Sequence, residues 1–550
     1  MITLASIFTD NMVLQREKPI AIFGTSDQDE TVSVHLNEEL IHQEQVLKGS
    51  FSILIPEQPA QVNVTLKVND IELKNVDIGE IWLAGGQSNM EFWMRYEQHL
   101  EEEITNTDPH LRMYTVGQYS FEGERELGFK QWNQWDRWVS AEPSTIPEMC
   151  AIGYYFAKKM REKGIPVGIV SSNWGGTSAV SWTPKSALSK NPQLKFYMDN
   201  FNEIVFNLDL ERYYGIKEAV RPLLSSQESY EGFSHVIKNT YSPSVLEKIQ
   251  ADEASQSKPA NWIEINGEKI NISELTYEEM TEVGPQDVKE PGCLFEQMIA
   301  PIAGFSIKGV LWYQGESDCD LAEHYHNLFK QMVQSWREAW LERNKKQTYL
   351  PFYVVQIAPF GEWLGNEGSK FVKIREQQEL IADSVPDNYL ISSSDAGNIF
   401  DIHPKNKKVL AERLYQLVDH IDFGNPVPAY APRAKKLNVE DGKAIVIIEN
   451  CQQLVKEERD FESYNGFELA EIPDTFIPPI TDGINGLEII VDGITDKEVK
   501  VNLSGNQMII ESPAIAPLRG IKINFAKTAF YEVNIYNELH HPLMPFALSN

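Results

Sequence analysis

The sequence predicts an α/β protein in which a three-layer α/β/α domain with a parallel sheet is flanked by N-terminal and C-terminal antiparallel β domains. Three observations predict this class: buried apolar runs that end in polar clusters, amphipathic helical segments between these runs, and short β-like runs near both ends. With 550 residues, 42% of them hydrophobic and 23% charged, the chain is long enough to form several domains with their own cores.

Residues 1–77 form the predicted N-terminal β domain. Their apolar runs are short, and Gly, Asp and Asn residues typical of turns separate them. The runs are Pro19–Phe23, Thr31–His35 and Val62–Val68. This spacing favours a small antiparallel sheet.

Residues 78–183 and 293–422 form the predicted α/β/α domain. Its strands are interpreted as Ile81–Ala84, Val167–Val170, Val310–Tyr313, Phe352–Gln356 and Tyr389–Ile391. Its helices are interpreted as Ala151–Lys163, Leu321–Trp340, Val372–Ala382 and Lys405–Val418. Because ligands of an open α/β sheet bind beyond the carboxyl ends of its strands, we expect the polar clusters at those ends to meet.

Residues 184–292 interrupt this alternation with charged, weakly periodic sequence, and we predict a mainly helical insertion there. A linker at Gly424–Pro428 opens the last predicted domain, residues 423–550. Short apolar runs separated by turn residues predict a β-sandwich-like fold for it. The runs are Ala444–Ile448, Leu487–Val491, Gln507–Glu511 and Ile521–Phe525.

Charge and cysteine content exclude several classes of function. Forty-nine basic against 80 acidic residues give a net charge of −31, which argues against a nucleic-acid partner or an anionic membrane. The four cysteines lie far apart without a Cys-x-x-Cys pair, so we predict neither a disulfide framework nor a metal, and no cofactor. Without a long apolar stretch or a secretory signal pattern, we expect a cytoplasmic protein. The oligomeric state is left open.

The first polar cluster, which we call the serine turn (residues 85–91), follows a strand and precedes a helix-like segment. Its Ser88 has two interpretations. A serine at such a junction commonly caps the helix by accepting a bond from a backbone N–H. Alternatively, the tight turn exposes the hydroxyl as a nucleophile beside the free amides of the helix start. Position alone does not decide between them.

The second cluster, the histidine loop (residues 395–405), follows the last predicted strand of the α/β domain. A lone histidine is usually a packed or surface residue, but a serine nucleophile needs a base near neutrality, and that base needs a carboxylate to fix its tautomer. Ser88, Asp401 and His403 supply those types in that chain order. Asp395 is the reserve carboxylate.

Two further clusters add hydrogen-bond donors. In the glutamine loop (residues 314–318), Gln314 is either structural or an amide donor to an oxyanion. In the glycine loop (residues 173–178), glycines allow a backbone amide to approach a ligand closely. Trp174 could stack on a sugar ring or fill the core, and Glu316 could bind a sugar hydroxyl or be capping. Together the four clusters supply the groups that acyl transfer requires.

These clusters resemble the sequence blocks of the sialate O-acetylesterase family, a branch of the SGNH hydrolases related to acetylxylan esterases. The blocks are Gly86–Met90, Asn173–Thr177, Trp312–Ser317 and Asp401–Pro404. Phe8–Gln15, Asn465–Ala470 and Asn537–Pro545 extend the resemblance towards both ends.

The resemblance implies an SGNH-type fold and an esterase that removes O-acetyl groups from sialic acid or related sugars. By position it makes Ser88 the nucleophile and His403 the base. The implied oxyanion donors are the amide of Ser88, one glycine of the pair Gly175 and Gly176, and the side chain of Gln314. Asp401 is the preferred triad acid. The alternatives are an acetylxylan esterase and, in another class, a non-catalytic carbohydrate-binding protein.

Overall fold

The computed structural model describes two compact units of the chain. The first contains residues 1–239 and 253–352, and the second contains 240–252 and 353–550. The described residues are 1–127, 137–224, 237–242, 245–246, 248–249, 262–265, 267–363, 366–440, 442–458 and 472–550. Each unit combines helices with strands, so the mixed α/β class is confirmed. The motif Asn465–Ala470 lies outside the described residues.

The N-terminal part of the first unit is built from β-strands. They are Ile2–Leu4, Val13–Gln15, Ile20–Ser26, Glu30–Leu36, Glu39–Val46, Gly49–Ile55, Gln61–Val68 and Ile71–Gly86. A two-residue hairpin loop lies at Asn37 and Glu38, whose φ angles of 50° and 71° are those of a type I′ turn. Alternating buried and partly exposed residues along Glu30–Leu36 give this strand one core-facing side.

The strand Ile71–Gly86 is 16 residues long and crosses the predicted domain boundary at residue 77. Its first half pairs antiparallel with Gln61–Val68. Its second half pairs in parallel with Val167–Asn173 and Gly309–Tyr313. The same strand therefore belongs to the N-terminal sheet and to the centre of the α/β sheet.

The α/β sheet of the first unit is mixed, so the prediction of a purely parallel sheet is wrong. The strand order is Trp138–Ala141, Asp108–Thr115, Val167–Asn173, Ile71–Gly86 and Gly309–Tyr313. Among the pairs in this order, only that of Trp138–Ala141 with Asp108–Thr115 is antiparallel. The sequence analysis missed Asp108–Thr115 because polar residues such as Arg112 break its apolar run. Arg112 is buried, and it pairs with the Asp77 carboxylate at 3.0 Å.

The carboxyl ends of three parallel strands lie side by side. Gly86 is in register with Asn173 on one neighbouring strand and with Tyr313 on the other. Gly86 lies in the serine turn, Asn173 begins the glycine loop, and the glutamine loop follows Tyr313 directly. Three of the four predicted clusters therefore meet at this edge of the sheet, while the histidine loop lies in the second unit and its approach to them stays a prediction.

Helices cover this sheet and form much of the insertion. The longer ones in the first unit are Ala151–Arg161, Lys195–Asn207, Leu210–Leu224 and Tyr325–Arg343, and the shorter ones are Ser88–Glu91, Leu100–Glu103, Lys185–Lys190 and Tyr277–Met280. The described part of the insertion also contains an unpredicted hairpin, Trp262–Ile265 with Glu268–Asn271. Its small core consists of Ile216, Val220, Ile265, Ile270 and Ile272.

The second unit contains the remaining α/β elements and the C-terminal β region. Phe352–Val355 lies beside Asn388–Ile391, and the helices are Phe371–Ser384 and Lys408–Phe423. One antiparallel sheet has the order Arg433–Glu440, Lys443–Glu449, Gln507–Glu511 and Lys500–Ser504. The other has the order Ile494–Thr495, Leu487–Val491, Ile521–Phe525 and Phe546–Ser549. Buried side chains from both sheets form one apolar cluster.

Within the described residues, no helix combines the length and the apolar character needed to cross a membrane. In that same part of the chain, no three His, Cys, Asp or Glu side chains are grouped so that they could hold a metal ion. All four cysteines carry free thiols.

Candidate active site

The serine turn contains Gly86, a position that only glycine can occupy. Its φ angle is 146°, and a Cβ atom there would lie 2.1 Å from the carbonyl oxygen of Tyr313. The chain then enters the short helix Ser88–Glu91. The strand therefore ends in a sharp turn that presents Ser88.

Replacing Gly86 by alanine is expected to lower the free energy of unfolding by about 3 kcal/mol or more, because the methyl group clashes with fixed backbone and the φ angle is strained. Urea unfolding followed by tryptophan fluorescence measures this loss. Gly164→Ala is the control, since Gly164 has a φ of 78° but nothing within 4 Å of its Cβ position. Gly164→Ala should lower the free energy of unfolding by about 1 kcal/mol. Equal losses in the two variants would contradict the clash.

Ser88 itself is half-buried and has unused hydrogen-bonding capacity. Neither its hydroxyl nor its backbone N–H has a hydrogen-bond partner among the described residues of the first unit. The N-cap of the short helix is Gln87, not Ser88. The capping interpretation of Ser88 is therefore wrong, and its hydroxyl is available for chemistry.

The glycine loop packs directly against Ser88. A Cβ atom on Gly175 would lie 3.3 Å from Cβ of Ser88, so a side chain there would require the two segments to move apart by a few tenths of an ångström. The N–H of Trp174 donates to the carbonyl oxygen of Gly86 at 3.1 Å. Gly176, with a φ of 71°, is exposed. The structure thus brings Gly175 and its neighbours to the predicted nucleophile, while the contact of Trp174 with a sugar stays a prediction.

The side-chain amide of Gln314 is fully buried, and both its nitrogen and its oxygen form hydrogen bonds. Its Nε2 donates to the carbonyl oxygen of Thr177 at 3.1 Å and to the carboxylate of Asp318, while its Oε1 accepts from the Tyr325 hydroxyl at 3.0 Å. Both N–H groups are therefore occupied in this conformation. A role of Gln314 as oxyanion donor stays a prediction, and it requires one of these bonds to be exchanged.

Asp318, which the sequence analysis assigned no role, connects the glutamine loop to the glycine loop. Its carboxylate accepts from the Ser178 hydroxyl and, at 3.0 Å, from the backbone N–H of Ala179. Burial raises its pKa, although these bonds partly oppose the rise. Gln314 and Asp318 therefore act together as a buried connection between the two loops.

Glu316 fastens the glutamine loop to the serine turn. Its Oε1 accepts from Nδ2 of Asn89 at 2.7 Å, and the side chain is buried. Next to it, Oε1 of Gln87 accepts from the backbone N–H groups of Gly315 and Ser317, both at 3.3 Å. This placement fits a role in holding the loops together better than the predicted contact with a sugar hydroxyl.

The second unit carries the histidine loop. Asp401 does not contact the ring of His403: its Oδ1 accepts from the backbone N–H of His403 at 2.8 Å. Its Oδ2 pairs with Nζ of Lys405 at 2.6 Å and accepts from the Thr240 hydroxyl at 3.0 Å. A carboxylate two residues before a backbone N–H commonly closes such a turn. Asp401, the preferred triad acid, therefore shapes the loop and forms no hydrogen bond with the imidazole of His403.

Asp395, the reserve acid, also binds a side chain other than His403. Asp395 forms two bonds of 2.7 Å with the guanidinium of Arg413, and both side chains are nearly buried. In the described residues, Nδ1 of His403 is buried without a hydrogen-bond partner. The Trp363 ring and the imidazole of His403 pack edge to face, with an angle of 87° between their planes and 5.3 Å between their centroids. Among the described residues, packing and not a carboxylate fixes the imidazole of His403.

His403 is held in its neutral form. Burial lowers its pKa well below the usual value, and the charges of Lys405 and Lys407 lower it further. A neutral imidazole is the form that can accept a proton. The predicted base therefore has the protonation state that its role needs, while its pairing with Ser88 stays a prediction.

Several known proteins have sequences similar to that of this chain. Residues 283–413 match the family described as carbohydrate esterase, sialic acid-specific acetylesterase. This segment contains Gln314, Asp401 and His403, whereas Ser88 lies outside it. The sialate O-acetylesterase of Mus musculus is 22% identical over 499 residues, which cover 84% of this chain and 81% of the mouse protein. That of Homo sapiens is 22% identical over 495 residues, which cover 83% of this chain and 78% of the human protein.

A solved structure shares the fold. The crystal structure of a carbohydrate acetylesterase from Xanthomonas citri matches with a TM-score of 0.66 at 22% identity, covering 100% of this chain and 99% of that one. The resemblance predicted from the four motifs is therefore confirmed: over more than four fifths of its length, this chain is similar to the sialate O-acetylesterases.

Proposed function

We propose that the protein is a carbohydrate O-acetylesterase, a carboxylic ester hydrolase in which Ser88 is the nucleophile. One observation carries the proposal above all. Ser88 is a half-buried serine whose hydroxyl has no partner in the first unit, and it lies at the end of a central strand against a glycine loop. That is the placement of a nucleophile whose neighbouring amides can bind an oxyanion.

The mechanism has two steps. The hydroxyl oxygen of Ser88 attacks the acetyl carbonyl carbon, and His403 takes the hydroxyl proton. The resulting oxyanion collapses, the bond to the sugar oxygen breaks, and His403 returns the proton to that oxygen. Water, deprotonated by His403, then attacks the acetyl-serine, and acetate leaves as Ser88 regains its proton.

Acetate release tests this function. The purified protein should hydrolyse a simple aryl acetate and release acetate from at least one member of a panel of O-acetylated sialic acid, acetylxylan and acetylated monosaccharides. The names of the similar proteins make acetylated sialic acid the first substrate to test. Glycan binding without hydrolysis of any ester would instead favour the non-catalytic alternative.

Asp401→Asn is expected to lower kcat by less than about 100-fold. Replacing a triad acid that binds the histidine ring costs roughly 10⁴-fold, whereas Asp401 contacts only the backbone of His403 and the side chains of Lys405 and Thr240. Steady-state kinetics with an aryl acetate measure the change.

Asp395→Asn is the comparison variant. It breaks a buried ion pair with Arg413, so it should cost about 3 kcal/mol or more of stability, with kcat per folded molecule nearly unchanged. A loss near 10⁴-fold in Asp401→Asn would show that Asp401 reaches the ring during turnover, and would contradict the assignment.

A further inference from the structure

Glu91 is a half-buried acidic residue that none of the assignments above explains. It ends the short helix that Ser88 begins, so the two side chains are one helical turn apart. Its Oε1 accepts from Nε2 of Gln118 at 3.0 Å, and its Oε2 accepts from the backbone N–H of Gly175 at 2.7 Å. Among the described residues, the side chain makes no ion pair with a cation, and burial raises the pKa of this carboxyl.

A carboxyl group that is partly shielded from water and has no cationic partner is costly to maintain. Such groups are concentrated at functional sites. Here the carboxyl group is used entirely to hold neighbouring chain segments. Its position beside the proposed nucleophile therefore indicates a function in catalysis.

The geometry around Gly175 shows which segment Glu91 holds. A Cβ atom on Gly175 would lie 3.3 Å from Cβ of Ser88 and 3.4 Å from Oε2 of Glu91. Gly175 therefore packs between the nucleophile and the carboxylate. Gln118 adds a second connection, since its Nε2 also donates to the carbonyl oxygen of Asn173 at 2.7 Å, at the start of the glycine loop.

We propose that Glu91 is a positioning residue that fixes the glycine loop against Ser88, so that the amides of Ser88 and Gly176 bind the oxyanion while that of Gly175 does not. The inference rests on the proposed function. The N–H of Gly175 is consumed by Glu91. Within the described first unit, by contrast, the N–H groups of Ser88 and Gly176 have no hydrogen-bond partner.

Variants at Glu91 test the kinetic consequence. Glu91→Ala should lower kcat for an aryl acetate by about 10²–10³-fold, the usual cost of an oxyanion donor, with KM changed less than about threefold. Glu91→Gln keeps an oxygen acceptor for the N–H of Gly175, so it should retain kcat within about tenfold of the wild type. Glu101→Ala, at an exposed glutamate in the helix Leu100–Glu103, is the control and should behave as the wild type.

Hydrogen exchange tests the positioning itself without relying on turnover. The peptide that spans the glycine loop should exchange faster in Glu91→Ala than in the wild type, and Glu91→Gln should restore most of the protection. Gln118→Ala, which leaves the bond to Gly175 intact, should have a smaller effect. If Glu91→Ala does not fold, the exchange of the glycine loop is measured in Gln118→Ala instead.

Three results would overturn the proposal: wild-type kcat in folded Glu91→Ala, equal loss of activity in the alanine and glutamine variants, or unchanged exchange of the glycine loop in both Glu91→Ala and Gln118→Ala. Failure of the proposed function is distinguishable from these. A wild-type protein that cleaves no ester would refute the esterase assignment, while the exchange data would still report on the contact between Glu91 and Gly175.

Discussion

Ser88→Ala is expected to lower kcat for an aryl acetate by roughly 10⁶-fold, the cost of removing a serine nucleophile that works with a histidine. The fold should survive, because the hydroxyl of Ser88 has no partner in the described first unit and its loss leaves no group unsatisfied there. The melting temperature should therefore stay within a few degrees of the wild type. Steady-state kinetics and a thermal scan on the same preparation measure both.

Ser189→Ala is the matched control, since Ser189 is an exposed serine on the helix Lys185–Lys190. It should retain full activity and stability. If Ser88→Ala kept even a tenth of the wild-type kcat, Ser88 would not be the nucleophile, and the esterase chemistry would have to lie elsewhere in the chain.

His403→Ala should lower kcat by roughly 10⁴–10⁶-fold, because no other group is assigned to take the serine proton. His540→Ala, at an exposed histidine of the same unit, is the control and should leave kcat unchanged. Added imidazole should restore part of the activity of His403→Ala if the cavity left by the ring admits it. Near-normal kcat in His403→Ala would contradict a general-base role.

The pH profile gives a second test of His403. The base works when it is neutral, and a pKa held below the usual 6.5 keeps it neutral at lower pH. The acid-side half-maximum of kcat/KM should therefore lie below pH 6.5. Lys405→Met removes a positive charge near His403 and also removes the cation that pairs with the Asp401 carboxylate. Both changes raise the pKa of His403. The half-maximum should then move to higher pH, and a shift in the opposite direction would contradict the assignment.

The regular elements of the α/β region could be predicted because hydrophobic periodicity specifies them directly. The helices Ala151–Arg161 and Phe371–Ser384 and the strand Val167–Asn173 begin or end within three residues of their predicted bounds. The strand Asp108–Thr115 could not be found in this way, because its buried Arg112 is stabilised by Asp77, a partner distant in sequence. Hydrophobic periodicity reflects residues that are close along the chain, so it does not indicate an ion pair between distant residues such as Arg112 and Asp77.

The site was predictable to the level of its loops, and the roles within it were not. The placement of the serine turn, glycine loop and glutamine loop follows from parallel strands that end together. The side-chain partners depend on local turn geometry: the single residue between Asp401 and His403 lets the carboxylate bond to the backbone. The sequence analysis assigned no role to Glu91, and only the approach of Gly175 reveals its contact.

The strand Ile71–Gly86 has a consequence for truncation and domain grafting. Cutting the chain at residue 77 would divide one continuous β-strand, and the half that begins at Ile78 would lose its pairing with Gln61–Val68 and Val13–Gln15. A fragment starting at residue 78 would keep Ser88 but expose an unpaired edge just upstream of it, a known route to aggregation. A transplantable catalytic fragment must therefore retain the N-terminal hairpins.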